Sequence, residues 1–93
     1  MKDLPNDVIA YKKTPEFDES TVPKGLLKAH QTKVGVWGKI NILAGQLEYS
    51  ILEPELETVV LSTEQHGVVE PTVLHQVKPL GKVRFYVEFY QHP

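Results

Sequence analysis

Apolar and polar residues alternate with a period of two along most of the chain, and no stretch of a dozen residues keeps a helical period. This pattern predicts β-strands nearly throughout. The clearest pair is a strand over residues 34–44, a turn at Gly45-Gln46 and a second strand over residues 47–51, which together predict a β-hairpin. A further short strand rich in β-branched residues is predicted over residues 58–62.

The C-terminal third predicts two more strands with a break between them. Residues 73–78 alternate, and Pro79-Leu80-Gly81 ends this strand because proline has no N–H to donate to a ladder. Residues 82–90 are dense in aromatic and β-branched side chains, which favours a central strand. The N-terminal region is less regular: residues 8–11 predict a strand, and residues 25–30 predict either a strand or a single helical turn.

Short strands at close spacing, separated by glycine and proline, are typical of a sandwich or a barrel. A chain of 93 residues has material for one core, so one domain over residues 1–93 is expected. Stacking or closing the sheet hides the edges that an open sheet of this size would expose. The sequence therefore predicts an all-β, single-domain jelly-roll barrel.

Composition and charge narrow the classes of partner. The chain is 41% hydrophobic and 24% charged, which places it among chains that fold. Its net charge of −2 provides no field for a polyanion, so neither nucleic acid nor an anionic membrane is an expected partner. There is no cysteine, so a metal would have to use His, Asp or Glu. No apolar stretch follows the N-terminus, and the expected location is cytoplasmic.

Three residues are candidate metal ligands. His75 has the same phase as the apolar residues of its strand, so its ring should point inward, either as a hydrogen-bonded core histidine or as a ligand. His30 precedes the first long strand and either faces His75 across the mouth of a barrel or is a surface or turn histidine. Glu88 would complete a His/His/carboxylate site, with a solvated face shared with Arg84 as the alternative.

Three further residues are candidates for a ligand pocket. Lys33 would offer a cation to an anionic ligand, Trp37 would project into the lumen or pack in the core, and Glu70 would line the pocket or belong to a turn. His66 and His92 are expected to be exposed. The glycine-rich nucleotide motifs, the GxSxG motif and the HExxH motif are all absent, so nothing supports nucleotide-binding, hydrolase or metalloprotease activity.

Three stretches resemble the TehB-like domain family: HQTKVGVWGK at residues 30–39, VEPTVLHQV at 69–77 and RFYVEFY at 84–90. The likeness extends over residues 11–90, nearly the whole chain. This family occurs at the N-terminus of tellurite-resistance TehB proteins and as small stand-alone proteins, and it is related to the YeaR-type proteins.

The resemblance implies a cupin-like double-stranded β-helix. Cupins carry two histidines and a glutamate in a first motif and one histidine in a second, and all four line the barrel. His75 matches the second motif, but His30 is the only histidine of the first, so the complete set does not carry over. A two-histidine site for a divalent transition metal (Zn, Ni or Fe), assisted by Glu88 or Glu70, is the working hypothesis.

The function implied by the resemblance is a binding or accessory domain in resistance to tellurite or a related oxyanion, with a small molecule, an oxyanion or a metal ion in the barrel. The methyltransferase activity of TehB proteins belongs to a separate S-adenosylmethionine-binding domain that these residues do not include. One alternative is a small cupin-type metalloenzyme built on His30, His75 and a carboxylate. Another is a structural interaction domain with a filled interior. A homodimer formed through an exposed sheet edge is also expected.

Overall fold

The computed structural model describes residues 1–93, and nearly all of its regular structure is a single antiparallel β-sheet. Its strands are β1 (Ile9–Lys13), β2 (Phe17–Asp18), β3 (Trp37–Ile51), β4 (Glu57–Leu61), β5 (Gly67–Val69) and β6 (His75–Gln91). One short 3₁₀ turn, Lys24–Leu27, lies between β2 and β3. The all-β prediction is confirmed, and no helix is long and apolar enough to cross a membrane.

The two longest strands, β3 and β6, form the centre of the sheet. They pair antiparallel from Trp37↔Tyr90 to Ile51↔His75. The strand order is β1-β6-β3-β4, with β2 also on β6 and β5 also on β3. Thus β1 and β2 follow one another along one edge, while β4 and β5 follow one another along the opposite edge. The strand order does not close on itself, so this six-stranded open sheet does not confirm the cupin jelly roll.

The predicted turn at Gly45-Gln46 and the predicted strand end at Pro79-Leu80-Gly81 both lie inside continuous strands, so both predictions are wrong. β3 continues through Gly45 and β6 continues through Pro79-Leu80-Gly81, with shifts of register between them at this level. Gly45 has φ +77°, and a Cβ built on it would lie 2.0 Å from the Lys82 carbonyl oxygen. Glycine and proline mark bulges as well as turns, so the local sequence alone could not distinguish the two.

The bend brings the two halves of the sheet face to face around one core. Tyr49, on one half, donates a hydrogen bond from its hydroxyl to the carbonyl of Val68 on the other half, at 2.9 Å. The buried cluster draws on both halves: Ile40, Ile42, Val69, Val83, Phe85 and Val87 on one side, with Leu47, Tyr49, Leu61 and Val77 on the other. The face that carries these residues is called the inner face. Alternation with a period of two predicts that His75 and Val77 share one face and that Val83, Phe85 and Val87 share one face, and these five are the buried residues of β6.

The N-terminal region covers the free edge of β6. The strand predicted over residues 8–11 is β1, and residues 25–30 contain a helical turn followed by an isolated bridge from His30 to His75. Asp18 ends β2 in a turn in which its carboxylate accepts hydrogen bonds from Ser20 and Thr21. This turn sends the chain across the inner face before it enters β3.

Candidate functional site

A cavity of about 290 Å³ lies between the two halves of the sheet, under the segment that joins β2 to β3. Fifteen residues line it, and none of them is a lysine, an arginine or a carboxylate. Most of the lining consists of apolar side chains, including Phe17, Leu26, Val69, Phe85 and Phe89. Four residues with polar side chains interrupt it, two threonines and two histidines.

His30 and His75, the two histidines, lie side by side at this cavity. Each donates its backbone N–H to the carbonyl of the other, at 3.0 and 2.9 Å, and their ring centroids are 4.0 Å apart. His75 is only 3% exposed, while His30 is half-buried. The strand pairing thus holds together two imidazoles that are 45 positions apart in the chain.

The backbone fixes the orientation of both rings. Nδ1 of His30 lies 3.2 Å from the Lys28 carbonyl oxygen, and Nδ1 of His75 lies 3.0 Å from that of Val73. A carbonyl oxygen only accepts, so each Nδ1 carries the hydrogen and each Nε2 of the neutral ring carries a lone pair. The pKa of His75 is lowered to about 4, chiefly by burial; the hydrogen bond to Val73 opposes this shift and the nearby His30 adds to it.

Glu88, the third predicted ligand, does not join the histidines. It lies on the outer face of β6, where Oε1 accepts hydrogen bonds from Asn41 at 3.2 Å and Tyr90 at 3.3 Å. No group of three or more His, Asp or Glu side chains is arranged so that it could hold a metal ion. Protein sites for zinc or non-haem iron take at least three protein ligands, so the residues present do not fit the resident metal implied by the cupin resemblance.

The predicted pocket residues also lie outside the cavity. Lys33 is exposed and Trp37 stands on the outer face opposite Tyr90. Glu70 borders a separate surface groove beside Glu53 and Glu57, 3.9 Å from the ammonium of Lys2. The structure therefore assembles only the histidine pair from the six predicted site residues.

Sequence reasoning missed the residues that close the cavity. Phe17, Pro23 and Leu26 come from the irregular N-terminal region, and Thr14 and Thr32 flank it. No periodic pattern marks these positions. Their one shared signal is that apolar residues recur in a region otherwise rich in charged and polar ones.

An open, bent antiparallel sheet with an apolar cavity between its halves defines a small all-β domain. Residues 12–87 match the family model described as TehB-like domain, and the chain belongs to this family. The chain is 32% identical over 82 residues to the probable S-adenosyl-L-methionine-dependent methyltransferase TehB of Haemophilus influenzae, with the same identity in two strains, and the match covers 84% of this chain. It spans only 29% of that relative's length.

Two crystal structures have the same fold. TehB from Haemophilus influenzae superposes with a TM-score of 0.86 at 30% identity, over 94% of this chain and 32% of that one. A protein from E. coli (strain K12) superposes with a TM-score of 0.89 at 22% identity, over 100% of this chain and 99% of that one. The second likeness concerns the fold alone.

Proposed function

We propose that this TehB-like domain is a small-molecule-binding accessory domain linked to tellurite resistance, and that its ligand occupies the cavity beside His30 and His75. The observation that supports this proposal is an apolar cavity interrupted by an ordered pair of imidazoles. The cavity leaves apolar side chains accessible to water, and a bound molecule would remove that surface from water and so stabilise the fold.

The link to TehB concerns the binding part and not the chemistry. The chain corresponds to less than a third of the TehB relative, and it contains no glycine-rich nucleotide motif. Methyl transfer is therefore not assigned to these residues. The predicted homodimer and cytoplasmic location stay predictions.

The test is binding of a simple apolar probe to the intact chain. An apolar protein cavity admits small aromatic hydrocarbons, so p-xylene should bind saturably and shift the amide resonances of residues around Phe17, Val69 and His75. NMR titration measures both the affinity and the location of the probe. Absence of saturable shifts, or shifts elsewhere on the chain, would overturn the proposal.

Two neighbouring leucines provide matched variants. Leu26 lines the cavity, whereas Leu27 is 41% exposed and does not. Leu26→Trp should fill the cavity and weaken p-xylene binding by about tenfold or more, because the added ring takes the ligand's place. Leu27→Trp should leave binding unchanged. Equal loss in both variants would mean that the probe does not bind in the cavity.

A further inference from the structure

The polar side chains that line the cavity have only hydrogen-bond acceptors left for a ligand. Thr14 accepts the N–H of Val87 and donates its hydroxyl hydrogen to Pro15 O at 2.9 Å. Thr32 donates its own to Val36 O at 2.8 Å. Both histidines use Nδ1–H on backbone carbonyls. No side chain in the lining therefore has a free donor, since the remaining lining residues are apolar or glycine.

One acceptor that remains available in the cavity is Nε2 of His75. This atom has no hydrogen-bond partner in the protein. Every fully buried side-chain nitrogen or oxygen in the chain does have such a partner. The atom must therefore be accessible, and because His75 is almost fully buried and lines the cavity, that access is from the cavity. Nε2 of His30 likewise has no protein partner.

From this arrangement we infer the ligand class of the proposed site: a neutral molecule with an apolar body that donates a hydrogen bond to Nε2 of His75 or His30. The inference rests on the proposed function. An anion would meet lone pairs and no cation, and would lose its hydration without compensation. An ammonium would also lose its hydration in a lining that contains no carboxylate. A tellurite-like oxyanion is therefore the wrong kind of ligand for this cavity.

The experiment compares probes that differ only in the polar group. p-Cresol has the donor, 4-methylanisole has the same ring with the donor methylated, and 4-methylbenzoate is the anion. NMR titration of the intact chain at pH 7.5 should show p-cresol binding about fivefold more tightly than 4-methylanisole, the effect of one net hydrogen bond. Neither 4-methylbenzoate nor tellurite should compete with p-cresol.

Histidine variants identify the acceptor. His75→Phe and His30→Phe each keep an aromatic ring but remove the nitrogen. In one of the two variants the preference for p-cresol over 4-methylanisole should fall from about fivefold to none while p-xylene still binds, and that variant identifies the acceptor. A preference kept in both variants would overturn the inference. His66→Phe, in the exposed turn after β4, is the matched control and should keep the preference.

The outcomes separate the two proposals. If p-xylene binds but p-cresol and 4-methylanisole bind equally well, the cavity is a binding site and the inferred ligand class is wrong. If tellurite, 4-methylbenzoate or Zn²⁺ displaces p-cresol at lower concentration than 4-methylanisole does, the inference is also overturned. If none of the aromatic probes binds, the proposed function itself fails.

Discussion

The interior of the folded sheet has two ends with different construction. We call one end the packed end. Its side chains Leu47, Leu61 and Tyr49 are no more than 1% exposed, and none of them borders the cavity. We call the other end the open end. Its side chains Phe17 and Leu26 are only partly buried and line the cavity. The packed end is built from strands hydrogen-bonded side by side, β3 with β4 and with β6, whereas the open end is covered by a 3₁₀ turn that contains no buried residue.

This difference separates stability from binding. Side chains of the packed end have neighbours on all sides, so their loss leaves a void that the rigid strands cannot fill. Side chains of the open end already border a void, and the segment above them makes few buried contacts and can adjust. The packed end should therefore determine the free energy of unfolding, while the open end determines which ligand the domain binds.

The strongest test of the comparison is the bend that creates both ends. Gly45→Ala places a Cβ 2.0 Å from a backbone oxygen at a positive φ, so we expect a loss of more than about 3 kcal/mol in the free energy of unfolding. Gly81→Ala has φ +79° but no atom within 4 Å of the new Cβ, so strain alone should cost about 1 kcal/mol. Urea unfolding measures both, and equal losses would contradict the role of close approach at Gly45.

The same chemical change at each end gives the next largest effect. Leu61→Ala, at a fully buried position, should lower the free energy of unfolding by about 3 kcal/mol. Leu26→Ala should cost about 1 kcal/mol or less, since Leu26 is only partly buried and borders the cavity. Urea unfolding of the two variants decides the matter. A loss at Leu26 as large as that at Leu61 would show that the two ends do not differ.

The all-β class and the inner face of β6 were predictable because the pleat of a strand imposes a period of two. The same parity places Glu88 outside, with Arg84 and Tyr86, and the solvated face considered for Glu88 is the arrangement that the structure shows. A carboxylate that joined the histidines as a metal ligand would have to lie on the opposite face of β6. Trp37 is a second case, since it is out of phase with the buried Gly38 and Ile40.

The bends and the cavity were not predictable for physical reasons. Whether Gly45 turns a chain or bends a strand depends on which strand lies beside it, and that is a long-range property absent from the local pattern. Closure of the cavity by Phe17 and Leu26 depends on where an irregular segment crosses the sheet. The convergence of His30 and His75 was anticipated only because an early and a late strand were expected to meet.

Acidification tests the open end through His75. Its pKa is about 4 in the folded chain against an ordinary 6.5, so the unfolded chain binds the proton first as pH falls. Stability from this group is complete above pH 6.5, decreases as the pH falls toward 4 and is constant below. We expect a loss of about 2 kcal/mol between pH 7 and pH 5.

His30 and Tyr49 face the imidazole of His75. Burial raises the pKa of Tyr49, so its phenol stays neutral between pH 7 and pH 5. Urea unfolding of His75→Phe across the same range provides the comparison. Subtracting its pH profile from that of the wild type should leave the 2 kcal/mol step, about the size that this pKa shift allows. His66→Phe should retain the step, and a profile of His75→Phe parallel to the wild type would contradict the assignment.

The smallest effect concerns the hydrogen bond that ties the halves together at the packed end. Tyr49→Phe removes the donor to Val68 O and should cost about 1 kcal/mol in the free energy of unfolding, because the bond is buried. Tyr90→Phe, which removes a donor to Glu88 on the partly exposed outer face, should cost less than about 0.5 kcal/mol since water can replace it. Because Tyr49 does not border the cavity, p-cresol affinity in Tyr49→Phe should equal that of the wild type. A changed affinity would mean that the packed end controls the open end, and that binding and stability are coupled through the phenol.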